Sequence, residues 1–202
     1  MPKPRVFITR NLPSDTLALI DRSTDMDVWP DDDPPTPQQL KGKLANVDGV
    51  LVNIMDRVDG TLLDGAPHLK VVSQVAVGLD NVDVTECSRR NILVGNTPGV
   101  LSKATADHGF ALLLAAARRV AETDLWVRGN NWTLAHHPLY WLGTDVNGAT
   151  LGIIGLGQIG MEMVRRAAGF DMNVIYYSRN RRSDLEAEYH ITYSDLDTLL
   201  AS

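Results

Sequence analysis

Thr150-Leu-Gly-Ile-Ile154, running without a break into Gly155-Leu-Gly157-Gln-Ile-Gly160, decides how this chain folds. A short apolar run reads as a strand, the pattern from Ile159 to Ala168 reads as a helix, and G-x-G-x-x-G lies between them. In that setting the first glycine permits the tight turn, the second lets the backbone approach a pyrophosphate, and the third lets helix and strand pack closely. Unpaired N–H groups at the helix start then face the phosphates with a favourable dipole. A glycine-rich turn between any strand and helix is the plain alternative. The flanking strands favour a dinucleotide, with Gly155, Gly157, Gln158, Ile159 and Gly160 as its contacts.

Working outward, the next strand is Asn173 to Tyr177, and a helix begun by Ser194 or Asp195 follows a weak third strand, Ile191 to Tyr193. An enzyme using NAD normally carries an Asp or Glu about 20 residues after the glycines, to bind the ribose hydroxyls. Met172 through Ser183 contains no carboxylate; the strand runs out into Tyr177-Ser-Arg-Asn-Arg-Arg182. A 2′-phosphate would be attracted to Arg179 and to Arg181 or Arg182, with Ser178 donating a hydrogen bond. This favours NADP and leaves NAD possible, with the arginines then forming an exposed loop beside it.

On the N-terminal side, Val6 to Thr9, Val50 to Asn53, Leu69 to Ala76 and Ile92 to Val94 read as strands. They alternate with helices at Ser14 to Asp21, Pro37 to Ala45, Gly60 to Gly65 and Val82 to Arg90, the rhythm of a parallel α/β layer. Asp31-Asp-Asp-Pro-Pro-Thr-Pro37 is a surface connection, since proline at that density forbids both ladder and helix bonding. After Asn96-Thr-Pro-Gly99 one long helix is expected, about Leu101 to Arg128, and then an irregular Trp- and His-bearing segment from Gly129 to Ala149.

The balance of 19 basic and 25 acidic residues in 202, with no long basic block, argues against a nucleic-acid or membrane-surface footprint. Gly109 to Ala117, the longest apolar stretch, falls far short of the roughly 20 residues that span a bilayer. Cys87 is the only cysteine, which excludes an intrachain disulfide or a multi-cysteine metal site. With no hydrophobic signal segment at the N-terminus, a cytoplasmic location follows by default.

Three blocks, in order and spacing, resemble the D-isomer-specific 2-hydroxyacid dehydrogenase family: Val71-Val-Ser-Gln-Val-Ala-Val-Gly-Leu-Asp-Asn-Val-Asp83, Asn96-Thr-Pro-Gly-Val-Leu-Ser-Lys-Ala-Thr-Ala-Asp107 and Thr150 to Gly160. Pro138-Leu-Tyr-Trp-Leu142 and Tyr177-Ser-Arg179 look most like its glyoxylate/hydroxypyruvate reductase branch. The resemblance implies a flavodoxin-like substrate domain over residues 1–98, followed by a partial Rossmann dinucleotide-binding domain over 99–202. It implies a cytoplasmic oxidoreductase that reduces a small 2-oxoacid with NADPH or NADH, homodimeric when full length. It places the substrate carboxylate on backbone N–H groups at Val77 and Gly78, puts the Thr105 hydroxyl near the nicotinamide, and brings Trp141 to a partner's substrate pocket. For Thr105 a plain helix-start role, and for Trp141 plain core packing, are equal readings. Asp80 and Asp83 are read as caps of the helix beginning near Val82 rather than as acid and base.

The family's Arg, Glu and His lie beyond the matching residues, so no catalytic residue is assigned. None of His68, His108, His136, His137 and His190 falls in the matching motif, and the adjacent pair His136-His137 is read as loop residues rather than metal ligands. The 202-residue chain alone is expected to be inactive. Strand Leu151 to Ile154 is expected to become a sheet edge and so to lower solubility or stability. The rival reading is a catalytically incomplete NAD(P)-binding fragment or scaffold.

Overall fold

The computed structural model describes residues 2–133, 135 and 137–202. The chain divides into two compact units, Met1–Gly99 and Val100–Ser202. The first carries β1 (Arg5–Ile8), α1 (Ser14–Asp21), β2 (Asp25–Val28), α2 (Pro37–Leu44), β3 (Gly49–Val52), α3 (Gly60–Leu63), β4 (Val71–Gln74), α4 (Val84–Arg89) and β5 (Leu93–Gly95). Its strands pair in parallel in the order β2-β1-β3-β4-β5, which is the flavodoxin-like winding.

Register aligns Phe7, Val50, Val72 and Val94 as one row across four strands. Phe7, Val50 and Val72 are buried, and Leu40, Leu44, Leu62, Leu63 and Cys87 join the same core. That burial on both sheet faces is why the strands read as continuous apolar runs rather than alternating ones. The α2 start is legible locally: Thr36 and Gln39 form a reciprocal capping box, and Pro37 sits where its missing N–H costs nothing.

In this winding the strand order reverses between β1 and β3, leaving a crevice at their carboxyl ends. Asp56 fills it. Its buried carboxylate accepts from the Thr9 hydroxyl at 2.5 Å, the Asn53 N–H at 2.8 Å and the Arg10 guanidinium at 3.2 Å.

The second unit carries α5 (Ser102–Ala117), α6 (Val120–Arg128), β6 (Thr150–Ile154), α7 (Gln158–Ala167), β7 (Asn173–Tyr177), α8 (Ser183–Tyr189), β8 (Thr192–Tyr193) and α9 (Leu196–Ala201). Its sheet is parallel with order β6-β7-β8, the sequence of one βαβαβ half. Ile153, Val164, Ala167, Val174, Tyr176 and Ile191 form its core. α5 lies against α7, where the Arg166 guanidinium donates to Asp107, to the Lys103 carbonyl and to Glu162. β6 forms the end of this sheet, and Ile154 is exposed.

Three sequence expectations are corrected. The single helix from Leu101 to Arg128 is two helices, broken where Arg119 takes a left-handed conformation with φ 55°. The break has a tertiary cause: the Thr144 N–H donates to the Ala117 carbonyl at 2.8 Å, capping α5, while Gly143 lies too close to that carbonyl for any side chain. β2 is absent from the sequence reading, because Asp25 and Asp27 hide a strand that sits at a sheet edge, where charge is tolerated and discourages further pairing. α8 is likewise absent from it, and its carboxylates alter the reading of the basic loop before it.

Candidate functional site

The β6–α7 turn assigns each glycine a different physical reason. Gly155 adopts φ 96°, a conformation L side chains rarely take, while its N–H closes onto the Tyr177 carbonyl at 2.8 Å. Gly160 faces back onto that residue, and a Cβ there would lie 2.4 Å from the Gly155 carbonyl oxygen. Gly157 is the N-cap of α7 in an extended conformation, and a Cβ on it would meet nothing within 4 Å. The first helical bond is Met161 N–H to Gly157, and no acceptor among the described residues reaches the amides of residues 157 to 160. These are the orphan donors of a helix start, next to a groove of about 500 Å³ lined by Gly155, Gly157, Ser178, Arg179 and Arg182. The turn therefore fits a pyrophosphate: it offers convergent N–H donors, room at Gly157, and no side chain filling the hollow. The Gln158 side chain turns elsewhere, accepting from the Ser102 hydroxyl at 3.2 Å, and Ile159 is exposed.

The basic loop is more structured than its sequence suggests. Tyr176 is fully buried; its hydroxyl donates to Glu186 and accepts from the Arg182 N–H, both at 2.8 Å. Arg181 grips the same Glu186 with two hydrogen bonds, of 2.8 and 2.7 Å, and lies over the Tyr193 ring. Arg182 pairs with Asp184 at 3.1 and 2.9 Å. Arg179 lines the groove with no carboxylate partner among the described residues. Two of the three arginines, Arg181 and Arg182, are thus held by carboxylates of α8.

Hydrogen bonds from Arg181 and then Tyr176 hold the Glu186 carboxyl down at about 2, below the ordinary 4.5. A depressed folded value means the clamp stabilises the unit above the ordinary range and is lost as pH falls toward about 2. NMR titration of the Glu186 carboxyl should therefore give a midpoint near 2; a midpoint near 4.5 would show that the clamp does not form.

In the first unit a cavity of about 790 Å³ opens beyond the ends of β3 and β4, lined by Ile54, Met55, Arg57, Gly78, Asp80 and Asp83 among others. Val77 and Gly78 sit in the turn after β4, both exposed. The buried Gln74 side chain donates to the Gly78 carbonyl at 3.3 Å and to Asn81 at 2.7 Å, and Asn96 donates to the Val77 carbonyl at 2.8 Å. Asp83 caps α4, accepting from the Glu86 N–H at 2.8 Å; Asp80 does not cap it. The capping expectation therefore holds for Asp83 alone.

Residues 6–192 match the family described as D-isomer specific 2-hydroxyacid dehydrogenase, catalytic domain. The chain belongs to this family. A glyoxylate reductase of Korarchaeum cryptofilum is 46% identical over 198 residues, covering 98% of this chain and 60% of the relative. A crystal structure of a Thermus thermophilus protein superposes with a TM-score of 0.89 at 37% identity, over 97% of this chain and 61% of that one. The D-lactate dehydrogenase of Aquifex aeolicus, solved with NAD and lactic acid, gives a TM-score of 0.78 at 25% identity, over 97% of this chain and 57% of that one. The chain spans about 60% of the length of the curated relatives it matches.

The remaining residues suggested by the family resemblance are spread over the second unit. Thr105 is exposed on the first turn of α5, its N–H on the Leu101 carbonyl, and it does not line the dinucleotide groove. Trp141, half-buried with φ 57°, packs against Trp126 at 5.5 Å and under the Arg119 guanidinium at 4.8 Å. His136 lies outside the described residues. His137 stacks on Tyr140 at 3.9 Å and accepts from the Leu139 N–H, so its ring is used inside the loop. Among the described residues no three His, Cys, Asp or Glu side chains could hold a metal, and no helix is long and apolar enough to cross a membrane.

Sequence reasoning missed the partners that hold the basic loop and the turn after β4 in place. Glu186 and Asp184 follow the basic loop on a helix with no side-chain cap to announce it. Gln74 and Asn96 look like ordinary strand-end residues until the turn after β4 is in place.

Proposed function

We propose that this chain is the substrate-binding and dinucleotide-binding portion of a nicotinamide-dependent 2-hydroxyacid dehydrogenase, reducing glyoxylate, hydroxypyruvate or a similar small 2-oxoacid. Residues 1–98 are the substrate domain and 99–202 the first part of the dinucleotide domain. One observation carries the reading: the amides of residues 157 to 160 have no acceptor among the described residues, and the groove beside them is open. The nicotinamide supplies the hydride; the protein binds, orients and excludes water. The site contacts are Gly155, Gly157, Gln158, Ile159 and Gly160 for the pyrophosphate, and Val77 and Gly78 for the carboxylate. Thr105 is retained as a cofactor contact and Trp141 as a substrate contact in a homodimeric, cytoplasmic, full-length enzyme. The exposed Trp132, Leu139, Tyr140 and Leu142 around Trp141 support that homodimer, and sedimentation showing only monomer would remove it.

NADP is favoured, with Ser178 and Arg179 receiving the 2′-phosphate and Arg181 and Arg182 adding charge at longer reach. Fluorescence titration with NADPH and NADH tests both levels of this reading. Saturable binding is expected, and its absence for both nucleotides would sink the dinucleotide reading. Arg179→Ala should weaken NADPH by about tenfold while leaving NADH nearly unchanged, the weight of a charge-assisted hydrogen bond. Arg181→Ala, which loses a guanidinium already engaged with Glu186, should change that ratio less.

A catalytically incomplete nucleotide-binding fragment is the second reading. It is favoured by the positions of His68, His108, His137 and His190, none of which lines the Gly78 cavity or the Gly155 groove. Oxidation of NADPH by this chain in the presence of glyoxylate would dismiss that alternative; nucleotide binding without turnover would support it.

A further inference from the structure

Tyr176 holds both ends of the basic loop. Its carbonyl accepts from the Ser194 N–H at 2.9 Å, so the point where the chain leaves β7 is fixed in the sheet. Its hydroxyl accepts from the Arg182 N–H at 2.8 Å, where the loop passes into α8. Between these, the Tyr177 carbonyl accepts from the Gly155 N–H, which fastens the same loop to the glycine turn. Ser178, Arg179, Asn180 and Arg181 therefore hang between two fixed points, and the first three of them line the groove.

The hydroxyl is directional. A carboxylate only accepts, so the tyrosine O–H must donate to Glu186, which leaves an oxygen lone pair for the Arg182 N–H. Burial raises the hydroxyl above its ordinary value, so it keeps the proton this arrangement needs. Glu186 is oriented in turn by its two hydrogen bonds from Arg181, whose guanidinium lies 5.5 Å over the Tyr193 ring. That ring meets Tyr176 edge-on at 5.5 Å. A relay from Arg181 through Glu186 to Tyr176 thus closes on a backbone N–H at the end of the loop that carries Arg181 itself. None of these three residues lines the groove.

Opening such a clasp would remove order from the loop and leave its charge in place. Ser178 and Arg179 would still be present, but they would have to be ordered when the ligand binds, at a cost in affinity that a held loop does not carry. A nucleotide without a 2′-phosphate makes no demand on them.

We propose that Tyr176 and Glu186 are positioning residues for cofactor choice: they close the basic loop into a clasp that presents Ser178 and Arg179 to the 2′-phosphate of NADPH, without touching the nucleotide themselves. This rests on the proposed role of Ser178 and Arg179 as the 2′-phosphate site.

Fluorescence titration of the chain with NADPH and with NADH reads the clasp as a ratio of two affinities. The unsubstituted chain should bind NADPH more tightly than NADH. Tyr176→Phe keeps the buried ring and removes only the hydroxyl; it should weaken NADPH about fivefold, the weight of one ordinary hydrogen bond, with NADH nearly unchanged. Glu186→Asp keeps the charge beside Arg181 and draws the carboxylate back by a methylene. It should shift the ratio in the same direction, and it decides alone should the buried variant fail to fold. A merely structural role would lower the melting temperature and leave the ratio as it was. If the unsubstituted chain prefers NADPH and the variants keep its ratio, or lose both nucleotides equally, the positioning role is overturned while the 2′-phosphate site stands. If the unsubstituted chain shows no preference for NADPH, the 2′-phosphate site falls and the clasp with it.

Discussion

Gly160→Ala should lower the melting temperature of the Val100–Ser202 unit by about 15 °C, whereas Gly157→Ala should leave it nearly unchanged and abolish tight nucleotide binding. The two substitutions add the same methyl group three residues apart, and the surroundings separate them. At position 160 the new Cβ would sit 2.4 Å from the Gly155 carbonyl oxygen, which is backbone and cannot swing aside. Relief requires β6 and α7 to move apart, an overpacking cost of about 3 kcal/mol, and a unit of this size shifts by several degrees per kcal/mol. At position 157 the methyl meets no protein atom within 4 Å, so the fold tolerates it. On the proposed dinucleotide reading that space is the one a pyrophosphate needs, so NADPH affinity should fall at least about tenfold for each lost close contact. Calorimetry and fluorescence titration on both variants check the contrast. A Gly157→Ala protein that binds NADPH normally would show that the groove is not the phosphate site.

Asp56→Ala should cost the first unit about 3 to 5 kcal/mol, the usual penalty for removing one partner of a buried ion pair. The Asp56 side chain is 1% exposed and that of Arg10 19%. Truncation leaves the Thr9 hydroxyl, the Asn53 N–H and one face of Arg10 without an acceptor in a place water barely reaches. Asp56→Asn keeps the shape and part of the acceptor capacity and should cost markedly less. Because the chain has two units, hydrogen exchange should be followed at β1 and β3 amides, with β7 amides as the internal reference. A loss below about 1 kcal/mol at β1 and β3 would mean that the crevice relaxes without its carboxylate.

Much of this architecture is legible in the sequence because local and global signals agree. The apolar strands, the Thr36 capping box and the glycine turn each state their conformation within a few residues. The parallel α/β rhythm follows from them, while the flavodoxin-like order of the first unit is implied by the family resemblance of three sequence blocks. What stays hidden depends on distant neighbours. No residue near Arg119 announces a helix break, since the carbonyl that ends α5 is taken by Thr144, far along the chain. The charged β2 lacks an apolar run, and only pairing with β1 makes it a strand. The basic loop shows its arginines but not that α8 folds back to occupy two of them, which narrows the available guanidinium to Arg179.

The carboxylate of Asp56 also makes the strand ends of the two units chemically unlike. Both units are parallel α/β sheets, and each offers a cleft at its strand ends of the kind that welcomes phosphate. In the first unit the Thr9 hydroxyl, the Asn53 N–H and the Arg10 guanidinium, donors of the kind a phosphate would use, are already engaged by Asp56. The two look-alike layers thus differ at their strand ends: one carries an acidic side chain that engages its own donors, and the other presents helix-start amides with no acceptor among the described residues.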